Sequence, residues 1–146
     1  LGKAHTVEWE QAAIAEMARN PRFKWMGEVD DRQVRQQFAR SHAMVISSIM
    51  EGGANVVSEA IMAGLPVIAS HIDGNVGLLG ADYTGYYPAK DTDALAALLQ
   101  HAEHRPGFLE QLTEQCKQRQ PLFTADQEKE AWRRLLAEIS PQPVRP

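Results

Sequence analysis

The stretch Ser47-Ser48-Ile49-Met50-Glu51-Gly52-Gly53-Ala54-Asn55-Val56-Val57-Ser58-Glu59 runs from strand through tight turn into helix. Leading into it, Ala43-Met44-Val45-Ile46-Ser47-Ser48-Ile49 is nearly continuous in apolar or small residues, as a central parallel strand should be. Leading out, a helix extends from about Asn55 to Ala63, and Gly64 stops it as the first residue past the end. Gly52 and Gly53 let the backbone come close to a bound group, with no Cβ in the way. The amides of Ala54, Asn55 and Val56 then head the helix without internal partners. Together with the helix macrodipole they make a seat for a phosphate or pyrophosphate. Glu51, in the turn, and Glu59, about one turn inside the helix, flank that seat. A carboxylate does not bind phosphate, but it accepts hydrogen bonds from hydroxyls, so the pattern asks for hydroxyls on both sides of the phosphates. A nucleotide-sugar has that shape. A plainer reading stands beside it: Gly-Gly turns often precede helices, and Glu59 also fits a solvated helix position.

Outward from this stretch, helical and extended patterns alternate. From Thr6 to Arg19 the apolar residues Trp9, Ala13, Ile14 and Met17 recur at helical spacing. Asn20-Pro21 ends that helix, because proline disfavours helical backbone in the residue before it. Phe23-Lys24-Trp25-Met26 reads as a strand closed by Gly27. Asp30 with Gln33 forms a capping box for a helix that turns Val34 and Phe38 inward. Pro66-Val67-Ile68-Ala69-Ser70 is another short buried strand, and Tyr86-Tyr87 is a last one. Three helices follow. Asp91 or Thr92 caps the first, with Leu95, Leu98 and Leu99 facing inward until Pro106-Gly107. The second, Phe108 to Arg119, carries Leu109, Leu112 and Cys116 on one side. Thr124 and Gln127 box the third, which bears Trp132, Leu135, Leu136 and Ile139.

This order defines the α/β class: an open, mostly parallel, Rossmann-like sheet with helices on both faces. Such sheets bind ligands beyond the carboxyl ends of their strands. Two glycine-rich segments, Glu51 to Asn55 and Gly74 to Gly85, follow strands, and both are expected to be loops facing one cleft. Seven of the ten glycines fall between Gly52 and Gly85, which concentrates backbone freedom where the ligand is expected.

Composition narrows the function. With 146 residues and 44% hydrophobic content, one core buries roughly 70% of the unfolded surface without staples. Residues 1–140 read as that domain and 141–146 as a proline-rich tail. The single cysteine, Cys116, excludes an internal disulfide and a cysteine-ligated zinc site. The net charge of −4 argues against nucleic acid and anionic membranes as partners. No apolar run approaches the ~20 residues of a membrane span, no signal peptide opens the chain, and a cytoplasmic protein is expected. The third glycine of a dinucleotide fingerprint is missing after Gly52-Gly53, and no Gly-Lys-Ser/Thr occurs. Opening on Leu1, the chain reads as a piece of something longer.

Glu51 and Glu59, with seven residues between them, resemble the E-x7-E pattern of retaining glycosyltransferases of the GT-B fold, particularly family 4. The resemblance runs from Phe23 to Leu99, through Ser58-Glu59-Ala60, Ala63-Gly64-Leu65-Pro66-Val67-Ile68-Ala69-Ser70, Thr84-Gly85-Tyr86-Tyr87 and Asp91. With Gly74-Asn75-Val76-Gly77-Leu78-Leu79-Gly80, it is more narrowly similar to the selenosugar synthases, which join UDP-N-acetylglucosamine to selenophosphate. The resemblance implies roles. Glu51 would contact hydroxyls of the donor sugar as the catalytic glutamate, and Gly52, Gly53, Ala54, Asn55 and Val56 would lie along sugar and phosphates. Glu59 would bind the ribose, and the backbone of Gly27, Glu28 and Val29 would read the nucleobase. It further implies a UDP-sugar donor, no cofactor or metal, and no covalent nucleophile. The basic residues that grip the diphosphate, the first strand and helix of the sheet, and the acceptor-binding domain would precede Leu1. A sheet edge left uncovered there would favour pairing between copies.

Other residues keep two readings. His71 follows a strand end and faces Gly74-Asn75, so it either meets a leaving phosphate or acceptor or is merely solvated. Gly74 belongs to the same loop, and Asn75 either bonds a ligand or caps its own turn. Tyr83, Tyr86 and Tyr87 read as packing before acceptor site. Trp9, Trp25 and Trp132 read as core, Cys116 as an inert buried thiol, and Glu28, Asp30 and Asp31 as a solvated helix start. His42, His101 and His104 lack metal-ligand company. The rivals to glycosyl transfer are a non-catalytic phospholigand-binding domain and another GT-B-like enzyme, an epimerase or hydrolase.

Overall fold

Capping chemistry and one proline set the first elements. The computed structural model describes residues 1–139, and its internal contacts divide the chain into two units, Leu1–Gln37 and Phe38–Pro146. Helix α1 (Val7–Arg19) starts where the Thr6 hydroxyl accepts from the Trp9 amide at 3.4 Å, and it ends at Asn20 before Pro21. Helix α2 (Asp31–Arg40) starts at the expected box: the Gln33 amide donates to Asp30 at 2.7 Å, and the Asp30 amide to Gln33 Oε1 at 3.1 Å.

Two expectations fail in the first unit. Residues 23–26 form no strand. A strand needs a partner ladder, and this segment has none: the Phe23 amide turns back to the Asn20 carbonyl at 3.0 Å, Trp25 Nε1 donates to the Gly2 carbonyl at 3.0 Å, and the Gly2 amide donates to the Gly27 carbonyl just beyond it at 2.8 Å. Trp9, expected in a core, is 67% exposed, and α1 buries no residue. A short amphipathic helix shows the spacing of a buried face whether or not anything packs on it.

The second unit is built on a parallel sheet of β1 (Met44–Ile46), β2 (Val67–His71) and β3 (Tyr86–Pro88), in that order. Met44 faces Val67 across the first pair, and Ala69 faces Tyr86 across the second. Val67 to Ser70 are all buried, as a central parallel strand requires. Strand β3 begins at Tyr86, too late to pair with Val67. The Tyr83 hydroxyl takes its place, accepting from the Val67 amide at 3.1 Å and donating to its carbonyl at 2.5 Å.

Helix α3 (Asn55–Met62) joins β1 to β2 and ends at Gly64, whose φ of +74° favours glycine. Helix α4 (Asp73–Leu79) joins β2 to β3, where the sequence suggested an open loop from Gly74 to Gly85. Its first turn closes because the Ile72 carbonyl accepts from Asn75 and Val76, and Gly80 ends it at a φ of +95°. Arg119 caps it, donating to the carbonyls of Leu78 at 3.0 Å and Gly77 at 3.3 Å. Glycine propensity suggested a loop, and these tertiary bonds outweigh it.

Helices α5 (Thr92–His104), α6 (Phe108–Arg119) and α7 (Ala125–Ile139) follow where expected, with a 3-10 turn at Gln120–Phe123 before the last, but α5 buries no residue and Leu99, expected to face inward, is exposed. Asp91 caps α5 by accepting from the Ala94 amide at 2.8 Å. The core joins Val57, Ala60 and Ile61 of α3, Val67, Ile68 and Ala69 of β2, and Leu112 and Cys116 of α6. Each large aliphatic side chain there contributes ~1.5–3 kcal/mol. Trp132, Leu135, Leu136 and Ile139 of α7 are more than 40% exposed, contrary to the inward face expected of them. The proline-rich end, Ser140 to Pro146, lies outside the described residues.

Candidate functional site

The βα connections of a parallel sheet gather at the carboxyl ends of its strands, and in the second unit two of them meet. The first runs from Ser47 to Ala54, between β1 and α3. The second is the short step from His71 to Asp73, between β2 and α4. The first meets the start of α4 at Gly74, where a Cβ would overlap the Glu51 carbonyl oxygen and lie 2.8 Å from its carbon. Glycine at 74 is therefore a condition for placing Glu51.

The α3 N-terminus has the composition of an anion seat. Its N-cap is Ala54, which has no side chain to accept from the first turn, and no acidic residue lies in that turn. Among the described residues no protein acceptor meets the amides of Ala54, Asn55 or Val56; the Val57 amide closes onto the Ala54 carbonyl at 2.9 Å. The positive end of the dipole is left uncompensated. Gly52, Gly53 and Asn55 are exposed, and a Cβ on either glycine would meet nothing within 4 Å. Gly53 holds a φ of +143°.

Both glutamates are exposed. Glu51 is oriented from within its loop, because the Ser48 hydroxyl donates to Glu51 Oε1 at 2.9 Å. Ser48 is fixed in turn by Ser70, whose hydroxyl donates to the Ser48 carbonyl at 2.6 Å. Asn75, fully buried, donates from Nδ2 to the Ser70 carbonyl at 2.9 Å and to Ser70 Oγ at 3.2 Å. Glu59 projects from the second turn of α3. His71 is exposed at the end of β2, with its ring edge-on to Tyr86 at 5.0 Å. Gly27, Glu28 and Val29 belong to the first unit; Gly27 has a φ of +65°, Glu28 is exposed and Val29 half-buried.

Sequence reading missed Ser48, Ser70 and Asn75 as a group. The Ser-x-x-Glu spacing of Ser48 and Glu51 was a usable local signal, since short polar side chains bond across such turns. The other two residues are 22 and 27 positions from Ser48, beyond the reach of any local pattern.

The aromatic residues behind the site pack, as expected. Burial and the neighbouring Cys116 hold the Tyr83 hydroxyl protonated far above its usual range, and burial pushes Tyr86 up to about 12. Burial also pushes the Cys116 thiol up, and its Sγ donates to Tyr83 Oη at 3.6 Å. Among the described residues no cluster of His, Cys, Asp and Glu could hold a metal ion, and no helix is long and apolar enough to cross a membrane.

The fold is an α/β domain built on a parallel sheet, and comparison gives its family. Residues 1–119 match the family described as glycosyl transferases group 1, and the chain belongs to it. Among solved structures it is similar to sucrose-phosphate synthase from Thermosynechococcus elongatus, at 25% identity and a TM-score of 0.74. The match covers 93% of this chain and 36% of that one. The architecture is thus that of a Rossmann-like fragment of a GT-B enzyme. No curated protein matches in sequence.

Proposed function

We propose that this chain supplies the donor site of a retaining glycosyltransferase of family 4 type, working with an acceptor-binding domain of a longer protein. The observation that carries the reading is the uncapped α3 N-terminus, flanked by Glu51 and Glu59, in a chain of this family. The diphosphate of the donor lies against the amides of Ala54, Asn55 and Val56 and over the open face of Gly52 and Gly53. Glu51 accepts from hydroxyls of the donor sugar, and Glu59 accepts from the ribose. His71 lies at the carboxyl end of β2, where it can donate to the leaving phosphate.

The donor is a UDP-sugar, with UDP-N-acetylglucosamine the first candidate and selenophosphate its matching acceptor. Transfer breaks the bond from the sugar anomeric carbon to the diphosphate oxygen. The acceptor bonds to that carbon on the same face, and any proton it carries passes to the departing diphosphate. The α3 amides stabilise the charge that builds on the leaving group, and no covalent intermediate on the protein is needed.

Calorimetric titration of the chain with UDP and UDP-N-acetylglucosamine tests this. Both should bind, the sugar nucleotide more tightly. Glu59→Ala should weaken both about tenfold, the loss of hydrogen bonds to a charged group. Glu51→Ala should weaken only the sugar nucleotide. Binding of free phosphate equal to that of UDP, untouched by either substitution, would instead mark a phospholigand-binding domain. In the longer protein, transfer that survives Glu51→Ala would sink the role of Glu51. Labelled product then separates transfer from epimerisation and hydrolysis.

A further inference from the structure

The polar groups behind Glu51 form a directed chain. Asn75 Nδ2 carries only protons to give, and it gives them to the carbonyl and hydroxyl oxygens of Ser70. The Ser70 hydroxyl sends its one proton to the Ser48 carbonyl, which can only accept. The Ser48 hydroxyl sends its own to Glu51, since an ionised carboxylate only accepts. Turning the Asn75 amide over would set its oxygen against the Ser70 carbonyl, acceptor against acceptor, so its orientation is determined.

The chain crosses the fold. Asn75 stands on α4, Ser70 near the end of β2, and Ser48 and Glu51 in the loop after β1. Ser70 and Asn75 are fully buried, and among the described residues they are the buried polar ones. Asn75 Oδ1 has no hydrogen-bond partner there. A core built for stability alone would hold an apolar side chain at this position, because an unpaired buried acceptor is costly. Its Nδ2 bonds to Ser70 give the amide a use that packing does not.

We propose that Ser48, Ser70 and Asn75 are positioning residues that hold the Glu51 carboxylate in one orientation, with Oε2 free to accept from a donor-sugar hydroxyl. The ligand half of this rests on the donor reading above; the positioning half does not. Holding the carboxylate in advance removes the ordering cost from the binding step. The Ser70 bond fixes the backbone of the loop, the Ser48 bond fixes the side chain, and the Gly74 contact limits retreat.

Two measurements on the 146-residue chain test it. The first needs no ligand: three-bond NMR couplings of the Glu51 side chain should report one dominant rotamer. They should report averaging in Ser48→Ala, Ser70→Ala and Asn75→Ala, with Ser48→Thr restoring the wild-type values. Unchanged couplings in folded Ser48→Ala and Ser70→Ala overturn the proposal, whatever the chain binds. The second compares UDP with UDP-N-acetylglucosamine. Each alanine variant should lower the preference for the sugar nucleotide about threefold to tenfold, leave UDP binding within about twofold, and have no further effect in a Glu51→Ala background. Equal loss for both ligands, or the same loss without Glu51, would mean that the three residues only support the fold. If the wild-type chain binds neither nucleotide, the donor reading fails while the couplings still decide the positioning.

Discussion

The glycines of this domain do two opposite things. At Gly52 and Gly53 the missing side chain leaves open space, since a Cβ there would meet nothing within 4 Å. At Gly74 and Gly85 it lets two parts of the protein meet. A Cβ on Gly85 would lie 2.6 Å from the Tyr83 ring and 2.7 Å from the Val67 carbonyl oxygen, and one on Gly74 would collide with Glu51. The first pair leaves open space and the second gives room to the fold. Composition does not distinguish them, and substitution should.

The largest effect belongs to Gly85→Ala. The new methyl must displace either the β2 backbone or the ring whose hydroxyl pairs Val67, and a loss of about 3 kcal/mol in a urea titration is expected. Gly74→Ala comes next, at about 1–3 kcal/mol. Because Glu51 lies on an exposed loop that can shift, its clearer mark should be loss of the preference for UDP-N-acetylglucosamine over UDP. A variant that keeps full stability and full preference would mean that the contact at Gly74 holds nothing. Gly53→Ala places a side chain at a φ of +143° and should cost about 1 kcal/mol from backbone strain alone. Gly52→Ala is the smallest in stability, within about 0.5 kcal/mol, since its space is open. It should still weaken UDP binding; unaltered affinity would separate the turn from the phosphates.

Alkaline titration sharpens the same contrast, because the packed glycine Gly85 lies against a buried tyrosine. The folded state holds the protons of Tyr83 and Tyr86 well above the ordinary tyrosine value of 10.0. Unfolded chains release theirs near that value, so stability is fully present below pH 10 and falls as pH rises through 10 toward 12. The melting temperature should drop across this window, and Tyr86→Phe should shrink the drop. A profile that Tyr86→Phe leaves unchanged would remove Tyr86 as a source.

The sequence was most readable where the determinants lie close together. The boxes at Asp30-Gln33 and Asp91, the stops at Asn20-Pro21 and Gly64, and the apolar runs of β1 and β2 act within a few residues. All are found within a residue or two of where they were expected except β1, which ends at Ile46, three residues before Ile49, and stands at the end of the strand order where a central strand was expected. Phe23 to Met26 forms no strand because a strand is a property of two segments, and its backbone bond at Phe23 turns back locally to Asn20. Trp9 and the α7 stripe were misread for a related reason: periodicity marks the face a helix can bury, while contact decides whether it does so. Helix α4 was hidden by its own glycines and by a cap, Arg119, that comes from 41 positions away.

The candidate site divides along the same line. The sequence alone determined the uncapped helix end after Gly52-Gly53, because helix polarity and residue spacing are local. Only the tertiary structure decided what holds Glu51 in place. Ser70 and Asn75 act on it across the sheet, and Gly74 matters through the backbone it allows to approach. Hydrogen bonds and close contacts form between neighbours in space, and a linear order of residues does not record which neighbours those are.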